Sequence, residues 1–234
     1  MENIEKKKKI VSIVVLVLAV LMIGGYYIFG KNKTSSVDYD TSIATVNGAF
    51  ISKADYDKQL TNSIDLYKTQ GVDVADAIKL SQIKKQVLDN LISNELLNQG
   101  VAAAGIKVTA EEVEKQFQII LTQAGGADKL QVELVKNDLT EAQLRENIAK
   151  QLAIQVYLSK NVDTKSVTVS DAEIAQFYAD YGKAQKDGGQ KTVPTLKDLS
   201  AQIKQQLISN KQQTLVTNFI ADLRAKATVV EKTL

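Results

Sequence analysis

"IATVNGAFIS", residues 43–52, sets an Asn-Gly pair between two short apolar runs. Both central residues of a tight two-residue turn need positive φ, which Gly adopts freely and Asn tolerates, so Asn47-Gly48 predicts a β-hairpin. At Ser52 the pattern turns helical, and Ile51-Ser52…Asp55-Tyr56 opens a grammar that the chain then repeats. It recurs as Val108-Thr109…Glu112-Val113, Leu139-Thr140…Gln143-Leu144 and Val169-Ser170…Glu173-Ile174. In each, a hydroxyl accepts a hydrogen bond from an orphan amide of the first helical turn, while the carboxylate or amide three residues on reaches back to the cap. Four such boxes predict four helix N-termini. Gly71, Gly105, Gly125-Gly126 and Gly182 supply the positive φ that ends helices. Helices follow at 53–70, 74–104, 110–124, 127–137, 141–160, 171–181 and 195–227. The tail "ATVVEKTL" reads as a strand able to pair with the early hairpin. The fold class is mainly α, a multi-helix body with a small N-terminal β-hairpin.

Before this body lie residues 1–9, with Lys6 to Lys9 in a row, and then "IVSIVVLVLAVLMIGGYYIF", residues 10–29, without a charge. Twenty residues at a rise of about 1.5 Å span roughly 30 Å, the thickness of a bilayer core. Lysines before the span and Tyr26-Tyr27 at its end fit a single-pass transmembrane anchor with a cytoplasmic N-terminus and an extracytoplasmic body. The rival reading is a cleaved signal peptide, which shares the basic and apolar regions; no small-x-small cleavage site follows this span. Residues 30–41 read as a polar linker, and residues 42–234 as the domain it tethers. Gly25, Gly30 and Lys31 fit the start of a phosphate-binding loop, but Asn32 stands where Ser or Thr is required, inside the end of an apolar span.

The chain has no cysteine and no histidine. That excludes disulfides, thiol nucleophiles, lipoprotein processing at a cysteine, Ser-His-Asp triads and His- or thiolate-bound metals. No catalytic residue, metal ligand or cofactor site is identified. From Lys31 onward 25 basic residues balance 25 acidic ones, so the body carries no footprint for nucleic acid. Glu111, Glu112 and Glu114 sit beside a cap, where the helix dipole favours acids, and Lys84-Lys85 reads as a solvated helix face.

Apolar stripes carry more. Val87, Leu88, Leu91, Ile92 and Leu96 space as one helix face, as do Leu196, Leu199, Ile203, Leu207, Leu215, Phe219 and Leu223. Phe117, Ile120, Leu121, Leu130 and Leu134 lie on two short helices joined by Gly125-Gly126. As core they would be unremarkable. Two short helices on a glycine hinge are also poorly able to bury all their apolar surface alone, which makes these five the candidate residues for contact with a partner polypeptide.

In order along the chain, Val46-Asn47-Gly48, Ile51-Ser52, Leu91-Ile92, Leu96-Leu97, Gly105, Val108-Thr109, Glu112-Val113, Glu173 and Tyr178 resemble the N-terminal chaperone region of the SurA and PrsA proteins. "PTLKDLSAQIKQQLISNKQQ…LRAKATVV" resembles the helix that completes that region after an attached parvulin-type prolyl isomerase domain. The resemblance covers residues 43–231. It implies a SurA-N-like chaperone domain completed by the helix at 195–227, with loop 182–194 in the place of the parvulin domain. It implies a membrane-anchored, ATP-independent chaperone that binds unfolded or newly exported polypeptides on a cradle of amphipathic helices, with no enzyme activity. The alternatives are an anchored scaffold for one specific partner, or a prolyl isomerase.

Overall fold

The computed structural model describes residues 39–187 and 194–232. The basic tail, the apolar span at 10–29 and most of the linker lie outside these residues, as do 188–193. Among the described residues no helix is long and apolar enough to cross a membrane. The structure is mainly helical with a three-stranded sheet, and it groups into two compact units: residues up to Tyr157 together with those from Leu223, and residues 158–222.

The first unit begins with a single 3₁₀ turn at Tyr39–Thr41, then the hairpin, β1 (Ser42–Val46) and β2 (Ala49–Ser52). Asn47 and Gly48 adopt φ of 51° and 84°, as the Asn-Gly pair predicts. β3 (Val229–Glu231) pairs antiparallel with the other side of β1, giving the order β2-β1-β3. A bulge between Ser42 and Ala44 shifts the β1–β2 register at its open end. α1 (Lys53–Thr69) and α2 (Ala77–Ala103) pack against each other and against the hairpin. The predicted face of α2 is the floor of the main core, with Leu91 and Ile92 fully buried against Val46, Ile51 and Tyr56, and with Leu223 and Val229 closing from the C-terminal end.

α3 (Ala110–Ala124), α4 (Ala127–Lys136) and the first part of α5 (Glu141–Asn161) form a second core in the same unit. In the second unit, α6 (Asp171–Asp187) and much of α7 (Leu196–Lys226) bury Val169, Ile174 and Ile203.

All four boxes are occupied at the hydroxyl side, and those at Thr109, Thr140 and Ser170 are reciprocal. Asp76 and Thr195 cap two further helices. The helix at 74–104 therefore begins at Ala77. Pro194 lies before the Thr195 cap and outside the first turn. Gly71, Gly105, Gly125 and Gly126 end helices with positive φ, but Gly182 does not: α6 runs through it to Asp187. A glycine in helical φ costs a helix only about 1 kcal/mol, which the five further residues of helix, through Asp187, readily accommodate. The break between α6 and α7 is correspondingly shorter than 182–194. Asp138, with φ of 53°, ends α4 in the way glycine ends the others.

Two contacts fix the first unit beyond its apolar core. The Asn47 side chain donates to Gln99 Oε1 at 2.8 Å and accepts from Thr228 N at 2.9 Å, while Gln99 Nε2 donates to the Val46 carbonyl at 3.0 Å. Gly100, in the last turn of α2, faces the ring of Tyr157, and a Cβ there would lie 2.4 Å from Cζ.

Asn47→Gly keeps the turn and loses the side-chain bonds, so urea unfolding should show a loss of about 1–2 kcal/mol. Asn47→Ala should cost about 1 kcal/mol more, because alanine resists positive φ. Gly100→Ala should destabilise by about 1–3 kcal/mol despite alanine's higher helix propensity, since the Tyr157 ring has to move. In a Tyr157→Ala background the same substitution should cost nothing.

Candidate functional site

The five apolar residues singled out on the two short helices do not form an open surface. Phe117, Ile120, Leu130 and Leu134 are each 4–5% exposed, and Leu121 is half-buried against them. What periodicity could not show is that Leu144 and Ile148 of α5 supply the third wall of this core, so the pair of short helices is not left to bury its stripe alone. In this conformation the five are packing residues.

Arg145 reinforces that packing. Its guanidinium lies 3.8 Å from the Phe117 ring centroid, donates to Glu141 Oε1 at 2.9 Å and pairs with Glu114 across the helices. A cation on an aromatic face, held by two carboxylates, closes the core at its edge. Glu114 is thus one side of an ion pair, and Glu112 the acid of a capping box. Neither works with the other as an acid–base pair.

Apolar exposure lies elsewhere on the same helices. Val132 and Val135, one turn apart on α4, are 65% and 64% exposed, and Ile119 on α3 is 42% exposed. In the sheet, Phe50 and Val230 flank Thr45 on neighbouring strands and both are exposed. Side chains paired with one residue of a central strand share a face, so this is a short apolar row.

In the second unit the stripe of α7 divides. Ile203 is buried, Leu199 and Leu207 are half-buried, and Leu196 and Leu215 are exposed. Leu207, Lys211, Thr214 and Leu215 of α7, with Val167 and Thr168 of the segment before α6, line an open groove of about 440 Å³. Lys211 spans to that segment, donating to the Thr168 carbonyl at 2.9 Å and pairing with Glu173 at 2.6 Å. Gln212 Nε2 donates to the Thr164 carbonyl at 2.9 Å. The sequence marks Glu173 only as a capping acid; its second partner, 38 residues on, carries no local signal. Among the described residues, no group of three acids could hold a metal ion.

The hydrogen bond from Lys211, together with the Ser170 backbone and hydroxyl, lowers the Glu173 carboxyl from 4.5 to about 2. A depressed carboxylate favours the folded state above its unfolded value, and that contribution is lost as pH falls from about 4.5 through 2. Carboxyl NMR should place the Glu173 midpoint near 2. In Lys211→Met it should move up towards 4.5, stopping short because Ser170 remains.

The chain is similar to known proteins in sequence and in overall fold. The foldase protein PrsA of Clostridium perfringens is 30% identical over 198 residues, 78% of this chain and 55% of that protein. The foldase protein PrsA of Caldanaerobacter subterraneus subsp. tengcongensis is 26% identical over 176 residues, 72% of this chain and 51% of that protein. The chain thus spans about half the length of these relatives. A structure from work on PEB4 and the periplasmic protein Cj1289, two SurA-like chaperones of Campylobacter jejuni, superposes with a TM-score of 0.53. It covers 83% of this chain and all of its own at 13% identity, a likeness of fold alone. The family model described as the SurA-like N-terminal domain matches residues 1–155, from the N-terminus through most of α5. The chain belongs to the family of SurA-like N-terminal domains.

Proposed function

We propose that the protein is a membrane-anchored, extracytoplasmic chaperone that holds unfolded or newly exported polypeptides without ATP and without isomerase turnover. The observation that carries this reading is apolar side chains left exposed on a chaperone-family fold. Each of the two units buries a core of its own, yet Val132 and Val135 stand open on α4, Phe50 and Val230 on the sheet, and Leu215 beside the α7 groove. Such small, separate contacts bind extended apolar segments weakly and release them without an energy source. Phe117, Ile120, Leu121, Leu130 and Leu134 serve by packing the helices that carry Ile119, Val132 and Val135.

Anchoring follows from the uncharged stretch at 10–29 behind Lys6 to Lys9. It would keep these surfaces close to emerging chains and raise their effective concentration there. The reading without turnover is supported by the lack of histidine and cysteine in the sequence, and by the short interval between Asp187 and Leu196, the place where the resemblance to the SurA and PrsA proteins implies a parvulin domain.

The full chain should suppress light scattering by several unrelated denatured proteins in nucleotide-free buffer, at ratios near one to one. Val132→Lys with Val135→Lys should reduce that suppression by about half, leaving the melting temperature within about 2 °C because both sites are exposed. Binding to a single folded partner, with no effect on aggregation, would instead identify a scaffold. Faster proline-limited refolding in its presence would overturn the claim that there is no isomerase activity.

A further inference from the structure

The two faces of the sheet in the first unit differ. Ala44, Val46 and Ile51 are buried and Val229 packs against the same core, which fixes one face inward. Side chains alternate along a strand, so Thr45, Phe50 and Val230 point the other way. The register sets Phe50 and Val230 on either side of Thr45, and both are exposed. The row itself carries no charge. Glu231, next along β3, alternates to the other side and pairs with Arg224.

Two possible occupants do not fit this row. A stable pair of copies needs about 800 Å² from each partner, well beyond what one phenylalanine and one valine supply. The long apolar segment outside the described residues, 10–29, is the stretch read above as spanning a bilayer. Chain geometry points to a third. That uncharged stretch ends at Phe29, and Tyr39 leads through one 3₁₀ turn into β1, the central strand of the sheet. Ten residue steps reach at most about 36 Å, and Thr45 follows six steps later. With 10–29 inserted, the row is confined near the bilayer surface. Two side chains are too few to hold a free body on lipid, but a short tether makes the contact intramolecular and raises its effective concentration. Val132 and Val135 stand on α4, far along the chain from the span.

Resting on the membrane-anchored reading above, we propose that Phe50 and Val230 lie on the bilayer surface, at the boundary between headgroups and acyl chains, and orient the first unit on the membrane. An aromatic and an aliphatic side chain side by side suit that boundary, and an uncharged row selects no particular headgroup. The row thus belongs to lipid, which leaves Val132, Val135 and Leu215 to clients.

Because the chain has no cysteine, Val230→Cys carries a single nitrobenzoxadiazole label. The full chain is reconstituted in phosphatidylcholine vesicles with and without lipid bearing a nitroxide at the headgroup end of its acyl chain. The nitroxide lipid should quench this label and should leave the same label on Val132→Cys bright. Phe50→Asp in the labelled chain should weaken the contact about ten-fold or more, since a charge would have to leave water. Lengthening the linker three-fold with Gly-Ser residues after Lys33 leaves the sequence of the body intact. It should lower the effective concentration about five-fold, with a matching loss of quenching. The proposal is overturned if the label at 230 is not quenched, if the label at 132 is quenched equally, or if neither Phe50→Asp nor the longer linker reduces quenching. It is also overturned if the label is shielded from aqueous iodide yet not reached by nitroxide lipid, which would make a second copy the occupant. An alkaline carbonate wash separates the two readings. A chain retained in the vesicles with an unquenched label loses only this contact, whereas a chain released by the wash loses the anchor as well.

Discussion

The first unit is closed by one strand pairing. β1 accepts β2 from its own hairpin and β3 from the far end of the chain, and the contact between Asn47 and Thr228 joins residues 181 positions apart. Closing a loop of that length costs on the order of 5 kcal/mol of chain entropy, more than three residues of ladder return by themselves. The remainder comes from what the closure buries and pins: Leu223, Ala227 and Val229 against the main core, and Arg224 between Asp89 and Glu231. Asn47 is central because its turn conformation and both of its side-chain bonds act at this one junction. Without it the hairpin, α2 and the end of α7 would be held to one another only by the apolar core, the strand pairing and the Arg224 ion pairs.

That closure separates stability from binding. Apolar residues that hold the units together are sealed in three compact clusters, each supplied by at least two elements. Of those left outside, Val132 and Val135 form a pair, Phe50 and Val230 a row and Leu215 the edge of an open groove, while Ile78 stands apart. A surface of this kind suits partners whose sequence varies and whose only shared properties are extension and exposed apolar side chains. The ion pairs follow the same logic. Arg145 and Lys211 each bind two groups of the protein itself, which stiffens the scaffold and removes free charge beside the apolar contacts.

Local chemistry was legible in the sequence. Asn47-Gly48 specified the hairpin, and hydroxyl-to-acid spacing located four helix starts to the residue, because caps depend on atoms within one turn. Glycines predicted the helix ends at Gly71, Gly105 and Gly125-Gly126, missed the one that Asp138 makes, and misled at Gly182, where φ is helical and only packing could decide. The same limit explains Phe117, Ile120, Leu121, Leu130 and Leu134. Spacing identifies an apolar stripe, but whether the stripe is covered depends on Leu144 and Ile148, which come from another helix. Gly100 did leave a signal, an isolated glycine inside a strong helical pattern, which commonly means a close approach; the sequence does not name Tyr157 as the approaching group. The Lys211–Glu173 pair could not be anticipated, because it arises from tertiary placement of ordinary residues.

Tyr178 Oη donates to the Pro194 carbonyl at 2.9 Å, tying the body of α6 to the start of α7 on either side of residues 188–193. Thr195 and Asp198 then cap α7. Doubling the chain length at this point would add only about 0.6 kcal/mol of closure entropy. In engineering terms this is a splice port, where a reporter, an affinity module or a catalytic domain could be carried without disturbing the core of the second unit.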